Sequence, residues 1–217
     1  MLLIAEGKTM ERRTFLKQLS ILGAASSIPF SLSALAKQAS GLISVKNAFN
    51  KTLAAHPELI GLASVESDYS PSDLHIEGKL PKDLQGHFLR NGPAKHERAC
   101  ERYEHWFEGD GMVHKFSFGE NKITHMGKFI RTPKFVEEEQ AQRFLYSGPD
   151  SKIPNAKPVS NPGAINTANT NVIPVNDELW ALWEAGSATA IDQSSLDFKR
   201  QVNLGAGTPM ASQLQGM

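Results

Sequence analysis

From Leu80 to Ser195 the chain repeats one figure: a short run of alternating apolar and polar residues, closed by glycine, asparagine, aspartate or proline. Met112, His114, Phe116 and Phe118 share one face, with Val113, Lys115 and Ser117 on the other, the period of two expected of a half-buried strand. Ahead of this run, Glu108-Gly109-Asp110-Gly111 carries the glycines that a tight reversal between antiparallel strands demands. Behind it, Gly119–Lys122 predicts a second turn into Ile123–Arg131, which places Ile123, His125, Gly127, Phe129 and Arg131 on one face. Leu74–Leu80 alternates too, after a turn at Ser67–Ser72, and His87–Arg90 is a short strand stopped by Asn91-Gly92-Pro93. Farther on, the pattern predicts strands at Asn171–Val175, Glu178–Glu184 and Ala188–Asp192, with turns at Asn176-Asp177 and Gln193–Ser195. Two stretches break the alternation. Ser40–Pro57 sets Leu42, Val45, Phe49 and Leu53 at helical spacing, and Phe135–Tyr146, rich in Glu and Gln, favours a helical excursion. Short strands in meander order, each closed by turn residues, fit the blades of a β-propeller.

Composition narrows the class. With 217 residues and 40% hydrophobic content there is chain enough for one real core. Basic and acidic residues number 23 each, so the basic excess of a nucleic-acid binder is missing. Cys100 is the single cysteine, which excludes an internal disulfide framework and a thiolate metal cluster. Residues 1–36 read as an export signal: Arg12 and Arg13 form a twin-arginine pattern, an apolar run follows, and Ala34-Leu35-Ala36 supplies a small-x-small cleavage site. A transmembrane anchor is the alternative, though Pro29 and several serines make the run poorly hydrophobic for spanning a bilayer. The expectation is a periplasmic protein carried by the twin-arginine translocase, a route for folded proteins that suits a cofactor loaded before export. Residues 37–60 then form a helical entry segment, and residues 61–217 the β-rich domain.

Four motifs, taken in order, carry more than composition does. They are LPKDLQGHFLRNGP (Leu80–Pro93), YEHWFEGDGMVH (Tyr103–His114), GKFIRTPKF (Gly127–Phe135) and NTANTNVIPVNDELWALWEAG (Asn166–Gly186). In this order and spacing the chain resembles the N-terminal part of the carotenoid cleavage oxygenases, a family that includes stilbene-cleaving dioxygenases and the vertebrate retinoid isomerase. The resemblance covers roughly Gly61 to Gln201. It implies an all-β fold, part of a seven-bladed β-propeller with its N-terminal blades only and short helical excursions. It also implies Fe(II) held by four histidines, O₂ as co-substrate, and cleavage of a conjugated C=C bond in a carotenoid, apocarotenoid or stilbene to carbonyl products. Peripheral membrane contact through an apolar patch occurs in some members, and nothing in this sequence identifies such a patch.

Three residues can be carried over from the resemblance. Glu184 matches a glutamate that hydrogen-bonds an iron-ligating histidine, fixing its tautomer without touching the metal. Alternation with Trp180 and Leu182 would turn it inward, and a surface charge at a strand end is the alternative. Tyr103 and Lys134 match positions that hold a substrate phenolic oxygen, and a solvated Lys134 beside a strand end is equally open. Length sets a limit. Seven blades of roughly 40–45 residues need roughly 280–315 residues, more than this chain offers, so the expectation is an inactive truncated part of the propeller. No iron ligand is identifiable. The seven histidines all have structural explanations, and His105, His114 and His125 match no compact ligand motif, although successive strands could bring them together. A non-enzymatic periplasmic β-module for apolar or glycan ligands, and a remnant without a stable fold, are the competing readings.

Overall fold

The computed structural model describes residues 32–203, with side chains from residue 41 onward. Arg12 and Arg13 lie outside the described residues. The chain divides into two units, Met1–Leu32 and Ser33–Met217, and the second holds all the elements below apart from the first residue of the opening helix. That helix, α1, spans Leu32–Ala55, so Ala34 and Ala36 fall within its first turns. It starts before the predicted Ser40 and stops at Ala55, just ahead of Pro57, whose ring cannot follow a helical residue without a clash. Leu42 is buried and Val45, Phe49 and Leu53 are half-buried, the expected stripe.

Two four-stranded antiparallel sheets follow. The first is built from β1 (Tyr69–Asp73), β2 (Gly86–Lys95), β5 (Asp110–Gly119) and β6 (Lys122–Phe129), in the order β1-β6-β5-β2. The second runs β10-β9-β8-β7, from β7 (Asn171–Val175), β8 (Glu178–Leu182), β9 (Thr189–Asp192) and β10 (Phe198–Gln201). Between β2 and β5 lie a small hairpin, β3 (Glu97–Arg98) with β4 (Glu101–Arg102), and one 3-10 turn, Trp106–Glu108. The turns at Asn121 and Asn176 are as expected, both in the left-handed region with φ of 55° and 51°, where asparagine is tolerated. Helix α2, Pro133–Ala141, is the predicted excursion, but it starts two residues before Phe135 and stops five short of Tyr146. Thr132 caps it by accepting the Phe135 N–H, and Pro133 fills a first-turn position that needs no N–H.

The sheets pack face to face. Val113 of the first and Ile130, just past β6, meet Leu179, Ala181 and Ile191 of the second and Leu196 in the turn before β10, with Ala168 in the seam. Each such large aliphatic side chain contributes about 1.5–3 kcal/mol on burial. Met112 on the opposite face of β5 is equally buried, because Phe129 and Phe135 of α2 cover it. Both faces of that end of β5 are therefore core, where half-burial was expected.

Five local expectations are corrected. Ser67–Ser72 is largely strand β1, and Leu74–Leu80 is not a strand. All five β1 residues are exposed, so no alternation advertises it, and Pro71 is tolerated because β1 is an edge. Asn91-Gly92-Pro93 continues β2 rather than stopping it. That strand is the other edge, and Asn91 Nδ2 bolts it to the second sheet by donating to the carbonyls of Ala168 and Asn171. Strand β8 ends at Leu182, short of Glu184, and β10 was not foreseen.

The fifth correction concerns the glycines of Glu108–Gly111, which do not reverse the chain. Gly109 has φ of −64°, and Gly111 has no positive φ. They are there for space. A Cβ on Gly109 would lie 2.5 Å from the His96 ring, and one on Gly111 would run into the Ala168 carbonyl oxygen. Gly111 N donates to Thr167 O at 2.8 Å, and Asn169 Nδ2 to the carbonyls of Phe107 and Gly109 at 2.7 Å each. This seam, rather than a turn, is what the motif builds.

Candidate functional site

Three of the four motif segments converge on one recess. The 3-10 turn supplies Phe107 and Glu108, the residue after β4 is Tyr103, the first turn of α2 gives Lys134, and the turn after β8 gives Trp183 and Glu184. Together with Tyr146 they line a cavity of about 150 Å³. Tyr103, Lys134 and Glu184, far apart in the chain, are thus brought to one place.

Behind the cavity lies a buried ion cluster. Lys134 Nζ donates to Asp110 Oδ1 at 2.8 Å and Glu138 Oε2 at 2.9 Å. Arg98 Nη2 donates to Asp110 Oδ2 at 2.8 Å, and the Tyr103 hydroxyl to Glu138 Oε2 at 3.2 Å. The second oxygen of Glu138 accepts from the backbone N–H groups of Leu145 and Tyr146. Two cations balance two carboxylates, and all four side chains are at most 5% exposed. Desolvation alone would lower the Lys134 pKa, yet Asp110, Tyr103 and Glu138 together hold it well above the ordinary lysine value. Burial raises Tyr103 against the pull of Lys134, so the phenol stays protonated. Burial and a hydrogen bond to Glu137 push Tyr146 up to about 12.

Lys134 is therefore not solvated beside a strand end. Its ammonium has three N–H groups, of which two serve the cluster, and it lies 5.2 Å from the centre of the Tyr103 ring. Tyr103 spends its hydroxyl on Glu138 and offers the cavity its ring. Glu184 is exposed in the turn beyond β8 rather than inward on a strand face. The alternation misled because the buried face of β8 is Leu179 and Ala181, while Trp180 and Leu182 are half-buried against Ala188, Ala190 and Val202 on the other.

The sequence reading missed Arg98, Asp110, Glu138 and Glu108. Glu138 stood four residues after Lys134 on a predicted helix, the spacing of a same-face ion pair, and was open to detection. Arg98 carried no such sign. Glu108 is a buried carboxylate accepting from the N–H groups of His105, Asp150 and Ser151 and from the Ser151 hydroxyl. It clamps the 148–151 loop at the cavity rim.

All seven histidines belong to the described residues. His105 caps the 3-10 turn by accepting the Phe107 N–H. His96 is buried against Gly109, and burial drives its pKa down to about 4. His56 is near Glu58, His75 near Glu77, and His87 bonds Ser117. His114 and His125 do meet, as a pair, on the first sheet. Among the described residues no group of three or more His, Cys, Asp or Glu side chains could hold a metal ion. These residues do not fit a four-histidine iron centre.

The family described as Retinal pigment epithelial membrane protein matches residues 62–215. The chain is 38% identical over 135 residues to apocarotenoid-15,15'-oxygenase of Synechocystis, covering 60% of this chain and 27% of that protein. It is 33% identical over 135 residues to resveratrol cleavage oxygenase 1 of Aspergillus fumigatus, covering 62% of this chain and 26% of the relative. Among solved structures, the cobalt-substituted Synechocystis apocarotenoid oxygenase superposes with a TM-score of 0.59 at 33% identity, over 70% of this chain and 33% of that one. The chain thus spans a third or less of the length of these relatives. Solved variants of the Synechocystis enzyme replace a threonine, a tryptophan and the glutamate next to that tryptophan. Thr170, Trp183 and Glu184 stand here at the same mutual spacing.

Proposed function

The chain belongs to the carotenoid oxygenase family, and from that premise we propose that it supplies two adjacent propeller blades and one wall of the substrate chamber of a dioxygenase. The reaction is addition of both atoms of O₂ across a conjugated C=C bond of a carotenoid, apocarotenoid or stilbene, which breaks that bond and leaves two carbonyl groups. The cofactor of this reading is Fe(II). Since the described residues do not fit it, the role of this chain is confined to binding and positioning.

One observation carries the reading: residues of three of the four motifs, far apart in the chain, line a single recess. A cavity of about 150 Å³ accommodates a benzene-sized group and no polyene, so the recess receives one terminal ring of the substrate. The rings of Phe107, Tyr103 and Trp183 exclude water from it, and the third N–H of Lys134 meets a ring oxygen. A phenolate held there is paired with a cation that cannot titrate away at neutral pH, given the direction of the Lys134 shift. Glu184, exposed at the rim, orients a ligand imidazole in the iron-bearing enzyme. The spacing shared with Thr170 and Trp183 supports this assignment. Arg12-Arg13 and Ala34-Leu35-Ala36 support export to the periplasm before or with substrate capture.

Titration of the chain with a hydroxystilbene, followed by tryptophan fluorescence, tests the recess. Saturable binding is expected, and stilbene without the hydroxyl should bind at least about tenfold more weakly, because Lys134 then keeps an unpaired donor. Equal affinity for the two, or no saturation with either, would remove the proposal. Anaerobic addition of Fe(II) should give no stoichiometric complex, and admission of O₂ should then give no aldehyde from an apocarotenoid or a stilbene above a metal-only control. A stoichiometric complex would place the ligands among the seven histidines here, against the geometry described.

A further inference from the structure

His114 and His125 stand on neighbouring strands, with His114 Nδ1 2.9 Å from His125 Nε2. Their ring centres are 5.2 Å apart and their planes differ by 12°. That centre-to-centre distance is the nitrogen–nitrogen separation plus about one ring radius at either end. The two nitrogens therefore face each other in line, within nearly one plane. Such an arrangement is a seat for a proton. A metal ion needs about 2.0–2.1 Å to each nitrogen, which two nitrogens aimed head-on at 2.9 Å do not allow.

We propose that this pair is a proton-operated latch for edge strand β1: it holds one proton between its rings, and acid, by adding one too many, drives the rings apart and frees the strand. In the neutral pair one facing nitrogen carries hydrogen and the other offers its lone pair. A first added proton fills an outward nitrogen and keeps the bridge. A second puts hydrogen on both facing nitrogens, and the bridge must open. The protons therefore leave in two macroscopic steps that belong to the pair.

What surrounds the pair discourages the second proton. Arg90 of β2 is the Cα partner of His114 across the sheet and adds a like charge. Burial, His125 and Arg90 all lower the proton affinity of His114. From β1, the Tyr69 phenol packs on the pair and Ser72 stands opposite His125. The Asp73 carboxylate is already held by Lys122 and Thr124, so it does not neutralise the rings.

Strand β1 depends on these rings. Tyr69 lies 5.8 Å, centre to centre, from both imidazoles. Its ring occupies the space that Gly127 leaves, where a Cβ would fall 2.8 Å from Tyr69 and 3.1 Å from His114 Nδ1. The rest of β1 is weakly held: it is exposed throughout, contains Pro71, and its pairing with β6 slips between Tyr69 and Ser72. The sign of the effect follows. Folded His114 takes a proton less readily than a free imidazole, so the contact is intact above the unfolded histidine value of about 6.5 and weakens as pH falls below it.

Hydrogen exchange on the whole chain tests the latch. Between about pH 7.5 and about pH 5, protection factors corrected for intrinsic rates should fall about tenfold at the β1 amides that bond β6 and at Leu74, whose N–H donates to the Ile123 carbonyl. The β5–β6 hairpin should hold its protection. The double variant His114→Phe with His125→Phe keeps rings against Tyr69 and Phe116 but has no proton to gain, so its β1 protection should not change with pH. An equal fall in that variant, or none in the parent, overturns the proposal. Imidazole ¹⁵N shifts of the parent chain give a second reading that needs no variant. Two separated steps are expected, and two independent titrations at the ordinary histidine value would equally overturn it.

Discussion

Lys134 and Glu184 line the same cavity, yet replacing them should have opposite consequences. Lys134 is 5% exposed at its side chain and shared by Asp110 and Glu138. Lys134→Met leaves two buried carboxylates with Arg98 as their remaining cation. Removing one partner of a buried pair costs about 3–5 kcal/mol, so urea denaturation should show a loss of that order, whatever the substrate. Glu184 is exposed in a turn, and Glu184→Gln should stay within about 0.5 kcal/mol of the parent. In the iron-bearing enzyme the same change should lower iron occupancy or turnover about 10–100-fold, the usual effect of losing a ligand's orienting partner. A large stability loss in Glu184→Gln, or unchanged iron and turnover, would reject the orienting role. The chemistry of Glu184 was suggested by its motif, whereas its exposure was not, because the alternation that pointed it inward ends with β8 at Leu182.

Two glycines of the first sheet, both in motif segments, differ in what they are for. Gly92 on β2 pairs with Met112, and a Cβ there meets nothing within 4 Å. Gly111 on β5 pairs with Pro93 and touches the 167–169 seam. Gly92→Ala should therefore be neutral, or stabilising by about 0.4–1 kcal/mol through the unfolded chain. Gly111→Ala should cost about 1–3 kcal/mol, the ordinary cost of overpacking, and should weaken protection of the Gly111 amide that bonds Thr167. Thermal unfolding of the two variants side by side checks this, and equal effects would reject the close approach of Gly111 to the 167–169 seam. The element pattern explains why strands β5 to β9 were legible and β1 was not. Interior and half-buried strands show alternation, while a fully exposed edge strand has no apolar side to display.

For the molecule as a whole, export is the first thing to measure. Intact mass of protein recovered from a periplasmic extract should correspond to cleavage after Ala36, and Arg12-Arg13→Lys-Lys should abolish recovery there. A product that retains residues 1–36 in that extract would reject the signal. None of the described helices is long and apolar enough to cross a membrane. Read by itself, the sequence determined the class of the fold, the hairpins at Asn121 and Asn176, the presence of a helix near α2, and the family, because these rest on local periodicity, turn chemistry and contiguous motifs. Tertiary structure decided the rest. It turned the glycines of Glu108–Gly111 from a reversal into a seam, carried β2 through Pro93, buried Lys134 in an ion cluster with Arg98, and brought His114 to His125 while leaving His105 as a cap. The physical reason is common to all of them. Close approach, burial and charge pairing are properties of residues distant in the chain, and a pattern with a period of two or 3.6 residues cannot encode which distant neighbour arrives.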